Sequence, residues 1–556
     1  MNGEQPLDLD EVFGSPDGTR KKRLGIITSG SLKAGMEAKL DASTPVEEMK
    51  VGRYVVIEGQ KLRFFGLITD IGLGALDQRI PANPPDVTDP FVAEVISGTS
   101  TYGTLHVVPM LTLEKSASGT VSGPQPVKTV PPHFAAIHHA QEEDVARVFG
   151  REDGSHYYVG TPLDMETRVC LNLPRFVERS NGVFGKSGTG KTFLTRLLLL
   201  GILQKGGAVN LVFDMHNEYG WQGTSEEGKP PVKGLKQLFT SKVAVFTLDD
   251  ASSRRRGVTT DHVVQIGYDR LEPEDIQALQ EPLGLSDRGI DAVHTLAHRL
   301  GDRKWLEQFL KLESEEREDL AKQLDIHLET MRALRTSLDR LRRLDFVVPK
   351  AQEDSVDCVV QYLLRGKHVV LEFGKYDNLL AYLLVANVLT RRIHDQWVKK
   401  VEAATSDAEK PPKLVITIEE AHKFLNPKVA GLTAFGAIAR EMRKYNVTLL
   451  VVDQRPSGID EEVMSQVGTR ITCLLDNDKD IESVLMGVSG KGELKSVLAK
   501  LETRQQALIF GHAVPMPVVI QTREYGSADS YKEFGYLEPE EAKAQARQDV
   551  RDLYGE

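Results

Sequence analysis

From about Thr161 onward, apolar strand-like runs alternate with helical patterns, which predicts an α/β fold built on a parallel sheet covered by helices. Two further observations complete the expected architecture. Short β patterns crowd the segment before Thr161, and one long stretch after it carries helical patterns alone. The predicted class is therefore an α/β core with an N-terminal β-barrel and a helical-bundle insertion.

At 556 residues the chain has room for two or three domains with substantial cores. Residues 1–22 read as a tail. Residues 23–115 carry the β runs Leu24 to Thr28, Tyr54 to Glu58, Leu62 to Ile71, Phe91 to Ile96 and Thr104 to Met110, with Glu58, Gly59 and Gln60 spaced as a tight turn, and predict a small barrel. Residues 116–160 open on SASGTVSGPQPVKTVPPH, a linker composition, and form the connection to the core. The core runs over 161–258 and again over 349–525. Between them, 259–348 contains KWLEQFLKLESEEREDLAKQL and IHLETMRALRTSLDRLRRL, charged amphipathic helices that split the core around a bundle. Residues 526–556 are a C-terminal extension.

Composition narrows the function. Hydrophobic residues at 40% and charged residues at 27% describe an ordinary globular protein. Cys170, Cys358 and Cys473 lie far apart, so neither a disulfide framework nor a zinc cluster is expected. The acidic start MNGEQPLDLDEVF lacks the layout of a signal peptide, and no apolar run is long enough for a bilayer, so a cytoplasmic protein without a membrane segment is expected. A net charge of -11 argues against a surface that attracts polyanions everywhere, and confines any nucleic-acid contact to local cation clusters.

The strongest motif is GKSGTGKT, Gly185 to Thr192, a complete G-x-x-x-x-G-K-[ST] pattern after the short strand Gly182 to Phe184 and before a leucine-rich helix. Glycines let such a loop wrap a phosphate chain with backbone N–H groups, and the helix adds its positive end. Lys191 would reach the β and γ phosphates of ATP, and the Thr192 hydroxyl would hold Mg2+. LVITIEEAH, Leu414 to His422, is an apolar strand ending in two carboxylates. A phosphoryl-transfer motor needs one carboxylate on the magnesium side and one to orient the attacking water, which assigns Glu419 to the metal and Glu420 as catalytic base. VTLLVVDQRPS, Val447 to Ser457, is another buried strand with a polar tip, where Gln454 either senses the γ phosphate or positions water, or is a plain turn residue. In AFGAIAREMRKY, Arg440 and Arg443 share a face, as a solvated basic stripe would, or as an arginine finger offered to a neighbouring subunit's nucleotide. Arg254-Arg255-Arg256 and Lys375-Tyr376 are candidate DNA-contacting loops or ordinary solvated ones.

GKSGTGKT, VFDMHNEYG (Val212 to Gly220), IEEAHKFL and IAREMRKYNVTLLVVDQRPS follow one another in an order that resembles the HerA branch of the HerA/FtsK superfamily of hexameric DNA translocases, over about residues 24 to 525. Asn217 stands where that family usually has glycine, and Glu419 where aspartate is common. The resemblance implies a RecA-like P-loop NTPase core, a homohexameric ring, double-stranded DNA in the central channel, and a NurA-type nuclease or other effector docked on the barrel, in end resection or phage defence. It also implies an ATP site built from Arg179, Gly185, Ser187, Gly188, Thr189, Gly190, Lys191, Thr192 and Phe193, with Asp214 and Glu218 near the nucleotide, and a C-terminal extension bracing the neighbouring subunit. Two other readings stay open: a protein-translocating ATPase of the same superfamily, and a ring scaffold that activates an effector.

Overall fold

The computed structural model describes residues 23–536 apart from 78, 83–84, 86–87, 89–90, 93–94, 97–99, 116–123, 164, 224–230, 432, 489–490 and 503–504. The expected tail and the last twenty residues of the expected C-terminal brace lie outside the described residues.

The N-terminal barrel is closed by six strands. They are β1 (Arg23–Ser31), β2 (Gly35–Leu40), β3 (Tyr54–Glu58), β4 (Leu62–Ala75), β5 (Thr101–Glu114) and, after the two-residue edge β6 (Gln125–Pro126), β7 (Ala136–His139). The order is β2-β1-β7-β3-β4-β5, and β5 returns to β2. Alternation along β3 explains how the barrel sits on the rest. Val55 and Ile57 point into the barrel core with Leu24, Ile27 and Phe64, whereas Tyr54 and Val56 join the main core. The Tyr54 ring lies 5.9 Å from Phe149, and its hydroxyl donates to the Pro517 carbonyl at 3.2 Å. Two expectations are corrected here. The barrel does not end at residue 115, because β7, inside the expected linker 116–160, supplies the strand between β1 and β3. Nor is Phe91 to Ile96 a strand: its described residues are helical.

The core is one 12-stranded sheet. Its strands are β8 (His156–Thr161), β9 (Val169–Asn172), β10 (Asn181–Phe184), β11 (Val209–Asp214), then, after a two-residue ladder of β12 (Gln222–Gly223) with β13 (Val232–Lys233), β14 (Val243–Thr247) and β15 (His262–Val263). A second short ladder joins β16 (Ile266–Gly267) to β17 (Val347–Val348) at the neck of the insertion. The sheet is completed by β18 (His368–Glu372), β19 (Leu414–Glu419), β20 (Val447–Asp453), β21 (Thr469–Thr472), β22 (Gln506–Gly511) and β23 (Val518–Thr522). The order is β15-β14-β18-β11-β19-β20-β10-β21-β22-β23-β8-β9. It is parallel from β15 to β21 and antiparallel from there to β9, so the expected all-parallel sheet is mixed. The central parallel strands β11, β19 and β20 are buried along their whole length and mostly apolar, as burial on both faces demands, with carboxylates at their C-terminal ends.

Helices fill the stretch from Pro273 to Leu338 within the insertion. Its core centres on Trp305, whose indole donates to the Leu271 carbonyl at 3.2 Å. The bundle is tied to the core through buried Asp275, which accepts from Arg391 at 2.8 Å and Asn387 at 2.9 Å on the long helix Leu379–Ala403. At the C-terminal end, the helix Ala528–Glu533 folds back on its own chain, and the Tyr531 hydroxyl accepts from the Lys233 backbone at 2.8 Å. Among the described residues no helix is long and apolar enough to cross a membrane.

Candidate nucleotide site

Register brings the motif residues level. In the sheet, Phe184 at the end of β10 stands beside Asp453 at the end of β20, and Glu419 at the end of β19 beside Val452. The carboxylate strand is thus separated from the phosphate-loop strand by β20. Out of β10 runs the loop Gly185 to Gly190, and then the helix Lys191–Lys205, which is buried over most of its circumference. Gly190 caps that helix with φ +92°, and a Cβ on Gly185 would stand 2.7 Å from the Cβ of Cys473, so both positions demand glycine. The Thr189 hydroxyl and the Lys191 ammonium both donate to the Lys186 carbonyl, at 2.8 and 2.7 Å. Burial lowers the affinity of Lys191 for its proton, against the opposing field of Glu420, Asp453 and Glu419.

A cleft of about 610 Å3 opens over this loop. Ser187, Gly188, Thr189, Gly190, Lys191, Thr192, Phe193, Glu218, Glu419, Glu420 and Gln454 all line it, so eleven of the expected site residues converge on one cavity. The two adjacent glutamates are sent in different directions by a left-handed turn at Glu420, φ +48°. The Glu419 side chain points inward, where its Oε1 accepts from the Tyr219 hydroxyl at 2.7 Å while Oε2 is buried with no partner. Burial, with the Asp214 charge next, pushes its pKa up to about 8. Glu420 Oε1 accepts from Gln454 Nε2 at 2.7 Å, so the polar tip of β20 holds the second carboxylate. Behind them, buried Asp453 accepts from the backbone and Nδ1 of His422 at 2.6 and 3.0 Å, and this pair raises the His422 pKa.

Five expected residues do not line the cleft. Asp214 is fully buried, and its carboxylate accepts backbone N–H bonds from Glu218, Tyr219 and Gly220 at 2.8, 2.7 and 3.2 Å, so it shapes the loop behind the cleft. Gly185 lies under the loop against Cys473. Arg179 packs beside Gly468 with its Nε buried and unpartnered. Arg440 pairs with Glu462 at 3.5 Å and Arg443 with Glu178 at 2.8 Å, both away from the chain's own cleft. Of the candidate DNA loops, Arg254 pairs with Asp250 at 2.7 Å and Arg256 with Glu372 at 2.5 Å. Tyr376 is buried against Phe346, ring centroids 4.9 Å apart, and is a packing residue.

Sequence reasoning missed the other wall. Arg196, His216, Val232, Val452, Asp453, Gln505 and the segment Glu524 to Ser527 complete the lining. Tyr525 meets Phe193 edge to face at 6.2 Å, and the Arg196 guanidinium lies over the rings of Phe193, Tyr219 and Tyr525 at 5.3, 5.7 and 5.8 Å. Asp453 was legible, since it precedes Gln454 at the same strand tip. For Tyr525 no spacing rule existed. Asn217, the departure from the usual glycine, has φ +58° and hydrogen-bonds both ways with the Gly374 backbone, at 2.8 and 3.1 Å. The left-handed conformation explains why glycine suits that position, and asparagine tolerates it.

A glycine-wrapped loop at a helix N-terminus, a lysine at its end and paired carboxylates across the cleft define a P-loop ATPase. Residues 157–393 match the family model described as the central domain of helicase HerA. The chain is 24% identical over 491 residues to the DNA double-strand break repair helicase HerA of Saccharolobus solfataricus, covering 87% of this chain and 89% of that one. It is likewise 24% identical over 495 residues to the protein of the same name from Sulfolobus acidocaldarius, covering 88% and 92%. The solved structure of VirB4 of Thermoanaerobacter pseudethanolicus aligns over 68% of this chain and 99% of its own at 16% identity and a TM-score of 0.43. Over most of its length the chain is thus similar to HerA-type helicases, and its central segment carries the match to their family model.

Proposed function

We propose that the chain is an ATP-driven motor that moves along double-stranded DNA, working as a cytoplasmic homohexameric ring and handing its substrate to a NurA-type nuclease or other effector docked on the barrel. The observation that carries this reading is the convergence of Lys191, Thr192, Glu419, Glu420 and Gln454 on one cleft, in a chain that aligns along most of its length with proteins named as DNA double-strand break repair helicases.

In this reading the loop Gly185 to Gly190 wraps the phosphates of ATP with its N–H groups, and Lys191 leaves the Lys186 carbonyl for the β and γ phosphates. The donor set fits Mg2+: the Thr192 hydroxyl and the partnerless Glu419 Oε2 are hard oxygens on the same cleft, the kind of sparse protein set such an ion completes with phosphate and water. When bound, the cation neutralises charge on the phosphates. Glu420 accepts a proton from the attacking water, and Gln454, which holds Glu420, is placed to register whether a γ phosphate is present. Arg440 and Arg443, turned away from their own cleft, are the candidates for a finger supplied to a neighbouring subunit's nucleotide.

The test is displacement of a third DNA strand from a duplex carrying a triplex segment, followed with ATP and with a non-hydrolysable analogue. ATP-dependent release is the expected result. Hydrolysis without any release would instead favour a ring whose main task is to organise an effector.

A further inference from the structure

One buried hydroxyl stands out beside the cleft. Tyr219 is fully buried, and its hydroxyl donates to Glu419 Oε1 at 2.7 Å. Burying a phenyl ring is favourable, but a phenol hydroxyl buried without a hydrogen-bond partner is costly, and here the partner is a carboxylate at the nucleotide cleft. The tyrosine is held from three directions. Its backbone N–H donates to Asp214 Oδ2 at 2.7 Å, its carbonyl accepts from Leu235 at 2.9 Å, and the Arg196 guanidinium covers its ring at 5.7 Å. Arg196 is itself fixed by a 2.7 Å bond to the Glu218 carbonyl. The ring therefore has little freedom, and the hydroxyl presents one bond at one place.

The consequence falls on Glu419. One of its oxygens is occupied by Tyr219 and the other is buried with no protein partner. A carboxylate pinned through one oxygen keeps a single rotamer, and the second oxygen is left to serve a cation. We propose that Tyr219 is the positioning residue for the magnesium-side carboxylate, with Asp214 and Arg196 as its supports. This rests on the reading of Glu419 as the metal-side residue. Hydrogen-bonded partners behind a metal ligand commonly set affinity by a factor on the order of ten to a hundred.

The experiment is a titration of Mn2+ followed by electron paramagnetic resonance, on full-length wild type, Tyr219→Phe and Glu419→Gln, each with a non-hydrolysable ATP analogue. Analogue affinity is measured in parallel in EDTA. Tyr219→Phe keeps the ring contacts and removes one oxygen, so it is expected to weaken Mn2+ by roughly tenfold while leaving analogue affinity in EDTA unchanged. Glu419→Gln should lose Mn2+ more severely. Mn2+ affinity within twofold of wild type in Tyr219→Phe, with Glu419→Gln defective, overturns the positioning role alone. Unchanged affinity in Glu419→Gln overturns the metal-side reading as well. If Tyr219→Phe does not fold, Arg196→Met, which frees the ring but keeps the hydroxyl, must weaken Mn2+ by a larger factor than it weakens the analogue in EDTA, and an Mn2+ loss no larger than the analogue's counts against the role.

Discussion

Glu420→Gln is expected to lower the ATP turnover rate by a factor on the order of 10²–10⁴ while nucleotide affinity stays within a few fold of wild type. The substitution is close to isosteric, and its amide oxygen can still accept from Gln454, which holds Glu420 at 2.7 Å. What it removes is the capacity to take a proton from water. Binding should survive because the phosphate-wrapping loop and Lys191 follow β10, while Glu420 lies two strands away, just past the end of β19. Steady-state phosphate release and titration with a fluorescent analogue separate the two quantities. A rate within tenfold of wild type would remove Glu420 from the role of base.

The second large effect concerns stability and pH. Glu372 ends β18, wholly buried, and burial with the Asp214 charge pushes its pKa up to about 7. Arg256 donates to it at 2.5 Å, which favours the charged form, but Arg256 is 31% exposed and its field is screened, so burial prevails. A folded pKa above the ordinary glutamate value of 4.5 means that the native state holds the proton more tightly. The associated stability is complete below pH 4.5 and is lost as pH rises to about 7 and beyond, a change of roughly 3 kcal/mol. Glu372→Gln has no proton to lose. Its thermal midpoint should therefore gain on the wild type steadily from pH 5 to pH 8. Parallel curves over that range would show that Arg256 keeps Glu372 charged throughout.

Much of the site was legible because phosphate chemistry imposes local patterns. GKSGTGKT and the Glu419-Glu420 pair at a strand end lie within short windows, and the sheet brings them together as expected. The barrel and the inserted bundle were legible as regions, since β and helical periodicities are local too. What escaped depended on distant partners. β7 is four residues inside a Pro-rich stretch, and only closure between β1 and β3 makes it a strand. The carboxylate of Asp214 looked like a ligand because it sits in a motif, but three backbone N–H groups claim it. The aromatic wall joins Phe193 to Tyr525 across more than 300 positions, where no spacing rule operates.

The proposed function requires that hydrolysis in the cleft be coupled to duplex DNA. Its most direct test is ATP hydrolysis by the purified wild type, with and without linear double-stranded DNA, at low and at moderate salt. A net charge of -11 leaves only local cation clusters to hold the phosphate backbone, so DNA should stimulate hydrolysis at low salt and lose most of that effect as salt rises. Robust hydrolysis indifferent to DNA at both salts would contradict the claim and direct attention to a protein partner of the barrel.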